Sequence, residues 1–439
     1  MKKKLIFCLC IALSIIICFG SIPFSAYTYE CDVKVTSAAV LVINTDTNTI
    51  VYDKNSNTAR YASYLSNIMT YIVARANIRD LSERITITDE LLNLAQNSDT
   101  SIDKFLNHTL TLKDLLHYLI MTNGTDAAHI LAHYVCDGDI DAFVNLMNQK
   151  AKSLGCTKTK FSSPGGVLDA SSVTTCKDML KIYNCALDSP DFAEIAGTAV
   201  YMPEKYKNSD LEFYTNNSIM KPHSPYYFKH IKNGKYGYDR VAKGNIVVQS
   251  SYKNVKYICI IMGAQALNEH NAFTESKQLL TWTYTQLGNK EIIPGDLVLD
   301  TVQVDATWGV AEIGLVSGKD IVRTMPANFD SELLSFEFDS DSTKLKPPVF
   351  KGQSVGTGKI YYDGEFYEEI NMVAESSFGV GMVDDMTSFL GVMFDSTFTQ
   401  DSSNTAHDDN KKSTQPQSNT KTKPTSEPTQ AETLTQAVQ

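Results

Sequence analysis

The sequence predicts an α+β protein, in which a mixed domain of helices and antiparallel strands is followed by a small all-β domain. Three observations predict it. Alternating apolar stretches bounded by turn residues occur at 37–53 and again at 245–263, with helix-like periodicity between them. A helical pattern at 272–287 follows the second of these stretches. Beyond Gly288 the character changes, and residues 293–375 are rich in Val, Gly, Thr and Asp in short alternating runs.

The elements follow in order. Ala39-Val-Leu-Val-Ile43 and Thr49, Ile50 and Tyr52 read as two strands joined through residues 44–48. A helix is expected over 68–76. Leu112, Leu115, Leu116, Leu119 and Ile120 fall at helical spacing over 112–121, and Thr111 with Asp114 has the form of a helix start. Asn123-Gly124 marks a turn before a helix at 126–135, and another helix spans 140–154. Phe161-Ser-Ser-Pro-Gly-Gly166 is a loop by its composition. Ile246-Val-Val, a turn at 251–254 and Tyr257-Ile-Cys-Ile-Ile-Met262 form a hairpin.

The ends of the chain have their own signatures. Lys2, Lys3 and Lys4 precede an apolar run at 5–20, the pattern of a secretory signal, with cleavage expected after Ala26 and an uncleaved anchor as the alternative. Residues 380–394 carry Val380, Val383, Met386, Phe389, Leu390 and Met393 on one helical side. From Gln400 the chain is polar, has almost no large apolar residue, and is expected to be disordered. The expected organisation is a signal at 1–26, a mixed domain at 32–288, a β domain at 292–378, an amphipathic helix at 379–396 and a polar tail at 397–439.

Composition narrows the function. A hydrophobic share of 43% supports a real core, and a net charge of -11 argues against nucleic acid as a partner. Outside the signal, Cys31, Cys136, Cys156, Cys176, Cys185 and Cys259 are widely spread and contain no C-x-x-C pair, so scattered buried thiols are expected rather than a zinc site. His129 and His133 lie four apart on one helix, but nothing supplies a third ligand. No metal and no cofactor are expected.

Several stretches together resemble the D-alanyl-D-alanine carboxypeptidases, low-molecular-weight penicillin-binding proteins of peptidase family S11 with the β-lactamase/transpeptidase-like fold. They are Ala38-Ala-Val-Leu-Val-Ile43, Thr49-Ile-Val-Tyr-Asp-Lys-Asn55, Ile68-Met-Thr70, Asp114-Leu-Leu116, Asp126-Ala-Ala128, Phe143-Val-Asn-Leu-Met-Asn148, Ala151-Lys-Ser-Leu-Gly155 and Phe161 with the glycines after it. Leu345-Lys-Pro-Pro-Val349, Lys351-Gly352, Val355-Gly356 and Ile370 with the residues up to Ala374 resemble that family's β domain. The likeness runs in order over roughly residues 37–375.

The resemblance implies serine acyl transfer on peptidoglycan stem peptides, with three motifs. S-x-x-K places a base one helical turn from a weak nucleophile. Aligned on Ile68-Met-Thr70, the serine position is Tyr64 and the lysine position Asn67. A phenol has an ordinary pKa of about 10, and an amide has no basic lone pair. Ser63 is adjacent to Tyr64, but no lysine follows three residues on. The second motif, S-x-N, falls at Asn123-Gly-Thr125, with hydroxyl and amide exchanged. The third, K-T-G, falls at Lys235-Tyr236-Gly237, or alternatively at Lys232-Asn-Gly234. Lys235 is expected to attract a carboxylate, with Tyr236 and Gly237 lining the substrate site; otherwise Lys235 is an exposed lysine near a hairpin. Ser250-Ser-Tyr-Lys253 spells S-x-x-K but sits at a turn and carries little weight.

The sequence therefore points to an extracytoplasmic protein, secreted or attached to the outer face of the membrane or wall. It is expected to be a catalytically inactive relative that binds stem peptides or a cell-wall protein, with peripheral membrane contact through 380–394. The alternative is an active serine carboxypeptidase that trims the terminal D-alanine.

Overall fold

The computed structural model describes residues 27–379 except 28, 95–101, 167–168, 208, 210, 266–269, 307–308 and 341–343. The signal, the helix expected at 380–394 and the polar tail lie outside the described residues. Among those described, no helix is long and apolar enough to cross a membrane.

A five-stranded antiparallel sheet organises the first part of the chain. Its strands are β1 (Ala39–Asn44), β2 (Thr49–Lys54), β3 (Ile231–Asp239), β4 (Lys243–Tyr252) and β5 (Val255–Ala264), in the order β2-β1-β5-β4-β3. The central strands are apolar on both faces because both faces are covered. On one face Leu41, Val247, Ile258 and Ile260 join a core built from six helices. These are α1 (Ser66–Asn77), α2 (Leu112–Thr122), α3 (Thr125–Val135), α4 (Ile140–Ser153), α5 (Cys176–Leu187) and α6 (Pro190–Gly197). On the other face Val40, Ile246, Val248 and Ile261 pack with Phe273, Leu280 and Trp282 of α7 (Asn271–Gln286).

The expected elements fall within a few residues of these bounds, and two differences have physical causes. The β4–β5 turn is tighter than the four residues expected: pairing continues to Tyr252↔Val255, leaving Lys253 and Asn254, both with positive φ, as the loop. The boundary expected at 288–292 falls inside a strand, because β6 (Leu287–Ile293) leaves α7 directly and pairs with β9 (Ile321–Pro326).

The start of α2 is a capping box. Thr111 Oγ1 accepts from the Asp114 N–H at 3.1 Å, and Asp114 Oδ2 accepts from the Thr111 N–H at 2.7 Å. Thr111→Ala is expected to lower stability by about 1 kcal/mol, read as a shift of the denaturant midpoint at unchanged slope.

The second part of the chain is all-β. Strands β7 (Asp300–Ala306), β8 (Gly309–Val316), β10 (Leu334–Ser340), β11 (Lys344–Leu345), β12 (Ser354–Tyr362) and β13 (Glu365–Ala374) form one sheet in the order β10-β12-β13-β8-β7-β11. The segment before β1 ties the two parts together. Tyr27 packs beside the β-domain core, and Tyr29 OH donates to the Thr324 carbonyl at 2.6 Å and meets Tyr367 OH at 3.2 Å.

Candidate active site

The residues aligned with the catalytic motifs converge where the start of α1, the end of α2 and β3 meet. Tyr64 lies in a short 3-10 turn, Ser63–Leu65, immediately before α1. It is buried, with the base of its ring against Gly237 of β3. A Cβ added at Gly237 would lie 2.7 Å from Tyr64 Cδ2 and 2.9 Å from Cγ, so only glycine permits this approach.

Asn67, the second residue of α1, is fully buried. Its Nδ2 donates to the Leu119 carbonyl of α2 at 3.2 Å, while its Oδ1 is buried without a hydrogen-bond partner. The last carbonyls of a helix lack intrahelical donors, and α2 ends at Asn123, whose φ of 63° is left-handed. The Asn216 N–H supplies one for the Met121 carbonyl at 2.8 Å, and side chains supply others.

Lys235 serves two of these carbonyls. Its Nζ donates to the Leu119 carbonyl at 3.1 Å, to the Ile120 carbonyl at 2.8 Å, and to Asn123 Oδ1. Three acceptors use the three N–H bonds of an ammonium. The side chain is fully buried, and burial pushes its pKa well below the ordinary lysine range. Two expectations are corrected here. Lys235 is not an exposed lysine near a hairpin, and its donors are already engaged by the protein, so it offers none to an incoming carboxylate. Between the two alignments of the third motif, it is Lys235 that faces Asn123. Lys232 is exposed, and Asn233 instead accepts from Tyr183 OH.

Tyr236 is also corrected. Side chains alternate across a strand, so Tyr236 points to the face opposite Lys235 and Gly237. Its ring lies 4.3 Å from that of Phe273, centroid to centroid, in the core beneath α7. Tyr236 therefore does not line the cleft.

A loop covers the remaining side. Thr70 Oγ1 donates to the Pro164 carbonyl at 2.6 Å. Gly165 packs on Thr125, and a Cβ there would lie 2.5 Å from Thr125 Cγ2. Gly166, at φ +70°, sits over Ser63 and Ser66. Thr125 Oγ1 donates to the Asn123 carbonyl, two residues back, at 3.5 Å.

Two features of this region were not legible beforehand. Ser63 has φ 48° and donates its buried Oγ to the carboxylate of Asp239, joining the turn before α1 to the end of β3. Asp126, at the start of α3, accepts the N–H of Ile102 and of Ala127, and burial pushes its pKa up to about 6. Neither pairing follows a sequence motif. His129 accepts no special role: its Nδ1 meets the Thr125 carbonyl one turn back at 2.7 Å. Ser250 and Lys253 lie on a strand and its turn, away from this cluster. The six cysteines are free; Cys156, Cys176 and Cys259 are buried, whereas Cys31, Cys136 and Cys185 are partly exposed.

This is the α+β architecture of the penicillin-binding proteins. The structure matches penicillin binding protein 5 from Haemophilus influenzae with a TM-score of 0.64 at 20% identity, over 80% of this chain and 100% of that one. It matches the D-alanyl-D-alanine carboxypeptidase DacD from Francisella tularensis with a TM-score of 0.64 at 18% identity, over 80% and 95%. A family model described as D-alanyl-D-alanine carboxypeptidase covers residues 26–266, more than half of the chain, and the chain belongs to that family. Among curated relatives, D-alanyl-D-alanine carboxypeptidase DacF of Bacillus subtilis is 23% identical over 77% of this chain and 84% of its own length.

Proposed function

We propose that this chain is a non-catalytic member of its family, placed outside the cytoplasmic membrane, that binds peptidoglycan stem peptides or a cell-wall protein. One observation carries the reading: the serine and lysine of the nucleophile motif are replaced by Tyr64 and Asn67. Serine-type acyl transfer needs a hydroxyl and a group that takes its proton. Tyr64 stands where the hydroxyl is needed, and its ring is buried against Gly237. Asn67 stands where the base is needed, and its amide is turned to Leu119. Lys235, the remaining amine in the cluster, has its donors on Leu119, Ile120 and Asn123.

The test is covalent labelling with a fluorescent penicillin, combined with assay of D-alanine release from a pentapeptide. Neither signal is expected, while purified peptidoglycan should retain the protein. A penicillin adduct on a serine overturns the reading.

An active serine carboxypeptidase is the second reading, and one observation favours it. Ser63 has a carboxylate acceptor in Asp239. Against it, Ser63 is buried, and the other oxygen of Asp239 already accepts the N–H groups of Val241 and Ala242 at 2.7 Å each. Mass mapping of any adduct to Ser63 would decide for this second reading.

A further inference from the structure

A separate cavity of about 360 Å³ is lined by residues that flank Ser63 and Asp239 in the sequence, Arg60 and Tyr61 on one side and Val241 to Lys243 on the other. It opens where the short strand at Arg60–Tyr61 meets the turn after β3 and the end of β5. The charged side chains that line it are Arg60 and Lys243; Gln265 adds an amide, and Tyr61, Val173 and Val241 supply apolar wall. Among the described residues no carboxylate lines it, in a chain whose net charge is -11.

The nearby acids are committed elsewhere. Asp239 holds Ser63 Oγ and the N–H groups of Val241 and Ala242. Asp53 accepts from Ser56 Oγ at 2.6 Å and lies 3.5 Å from Lys177 Nζ. Arg60 Nε is buried with no hydrogen-bond partner, so the protein itself supplies that donor with no acceptor. Lys243 Nζ reaches only a neutral group among the described residues, the Arg240 carbonyl at 3.0 Å. A guanidinium and an ammonium that line one pocket of this size fit a carboxylate.

We propose that this cavity binds a small organic carboxylate, with the anion between Arg60 and Lys243 and a short apolar group against Tyr61, Val173 and Val241. The site is distinct from the Tyr64–Lys235 cluster and does not depend on whether that cluster is inert. Tyr61 and Val241 are 41% and 36% exposed, which leaves the mouth open to solvent.

The test titrates the full-length protein with N-acetyl-alanine, with its carboxamide, and with inorganic phosphate, followed by NMR or calorimetry. Saturable binding of N-acetyl-alanine on the order of 1 mM is expected, with none for the carboxamide. Arg60→Gln should weaken it by about tenfold or more, since a hydrogen bond to a charged group is lost. Val241→Glu, an exposed change that leaves Arg60 and Lys243 in place, should weaken it as well by like-charge repulsion. Unchanged melting temperatures would show that both variants are folded. The proposal fails if N-acetyl-alanine does not saturate, if the carboxamide binds equally, if phosphate alone binds, or if neither variant alters the affinity.

Discussion

Replacing Gly237 with alanine is expected to destabilise the protein by about 3 kcal/mol, the upper part of the usual range for overpacking. The added Cβ would sit 2.7 Å from Tyr64 Cδ2, closer than real side-chain contacts allow. Tyr64 has little room to retreat. Its turn is tied to the end of β3 by the Ser63–Asp239 hydrogen bond and to its own start by the Leu65 N–H on the Ala62 carbonyl at 3.1 Å. Gly166 packs on the same turn, where a Cβ would lie 2.5 Å from the Ser63 carbonyl oxygen. The turn is thus in contact with both a strand and a loop, which restricts its movement.

Denaturant unfolding of Gly237→Ala measures this directly. Tyr64→Ala in the same background should recover part of the loss, because it removes Cγ and Cδ2 while leaving Cβ. A loss below about 0.5 kcal/mol, the usual size of a surface change, would mean that the turn can move away from β3. That result would also reopen the space between Tyr64 and β3 to a ligand, and so bears on function as well as on stability.

Much of this architecture is legible in the sequence, because it rests on periodicity and local chemistry. The strands at 39–44 and 49–54 alternate or run apolar as their burial demands, and the α2 cap is spelled by Thr111 and Asp114 alone. The site is less legible. Its identities at Tyr64, Asn67 and Asn123 come from alignment with neighbouring motif residues, but their environment comes from distant backbone. Lys235 reads as a surface lysine because Lys232, Asn233 and Gly234 precede it. Its acceptors lie on Leu119, Ile120 and Asn123, more than a hundred residues away. Backbone carbonyls carry no residue-type signal, so burial of this kind leaves no local pattern. The direction of Tyr236 was available from strand alternation, since it must oppose Lys235 and Gly237.

Lys235 should also leave a signature in the pH dependence of stability. Its acceptors are two carbonyls and an amide. These dipoles solvate an ammonium only in part, and full burial holds the pKa well below the ordinary lysine range. Loss of the proton leaves one acceptor without a donor, which limits how far the pKa falls. Between the folded pKa and the unfolded value of about 10.4, the unfolded chain keeps a proton that the folded chain has shed. Raising the pH through that window therefore favours the folded state, with a slope of up to about 1.4 kcal/mol per pH unit. Buried tyrosines such as Tyr183 have raised pKa values and act in the opposite sense, but only as the pH approaches the ordinary phenol value of about 10. Urea unfolding from about pH 7 to about pH 9 lies below that interference. Over this range the native chain should gain stability relative to Lys235→Met, which has no proton to lose. Equal pH slopes for the two proteins would show that Lys235 remains charged in the fold, and the account of its withdrawal from ligand binding would then rest on its hydrogen bonds alone.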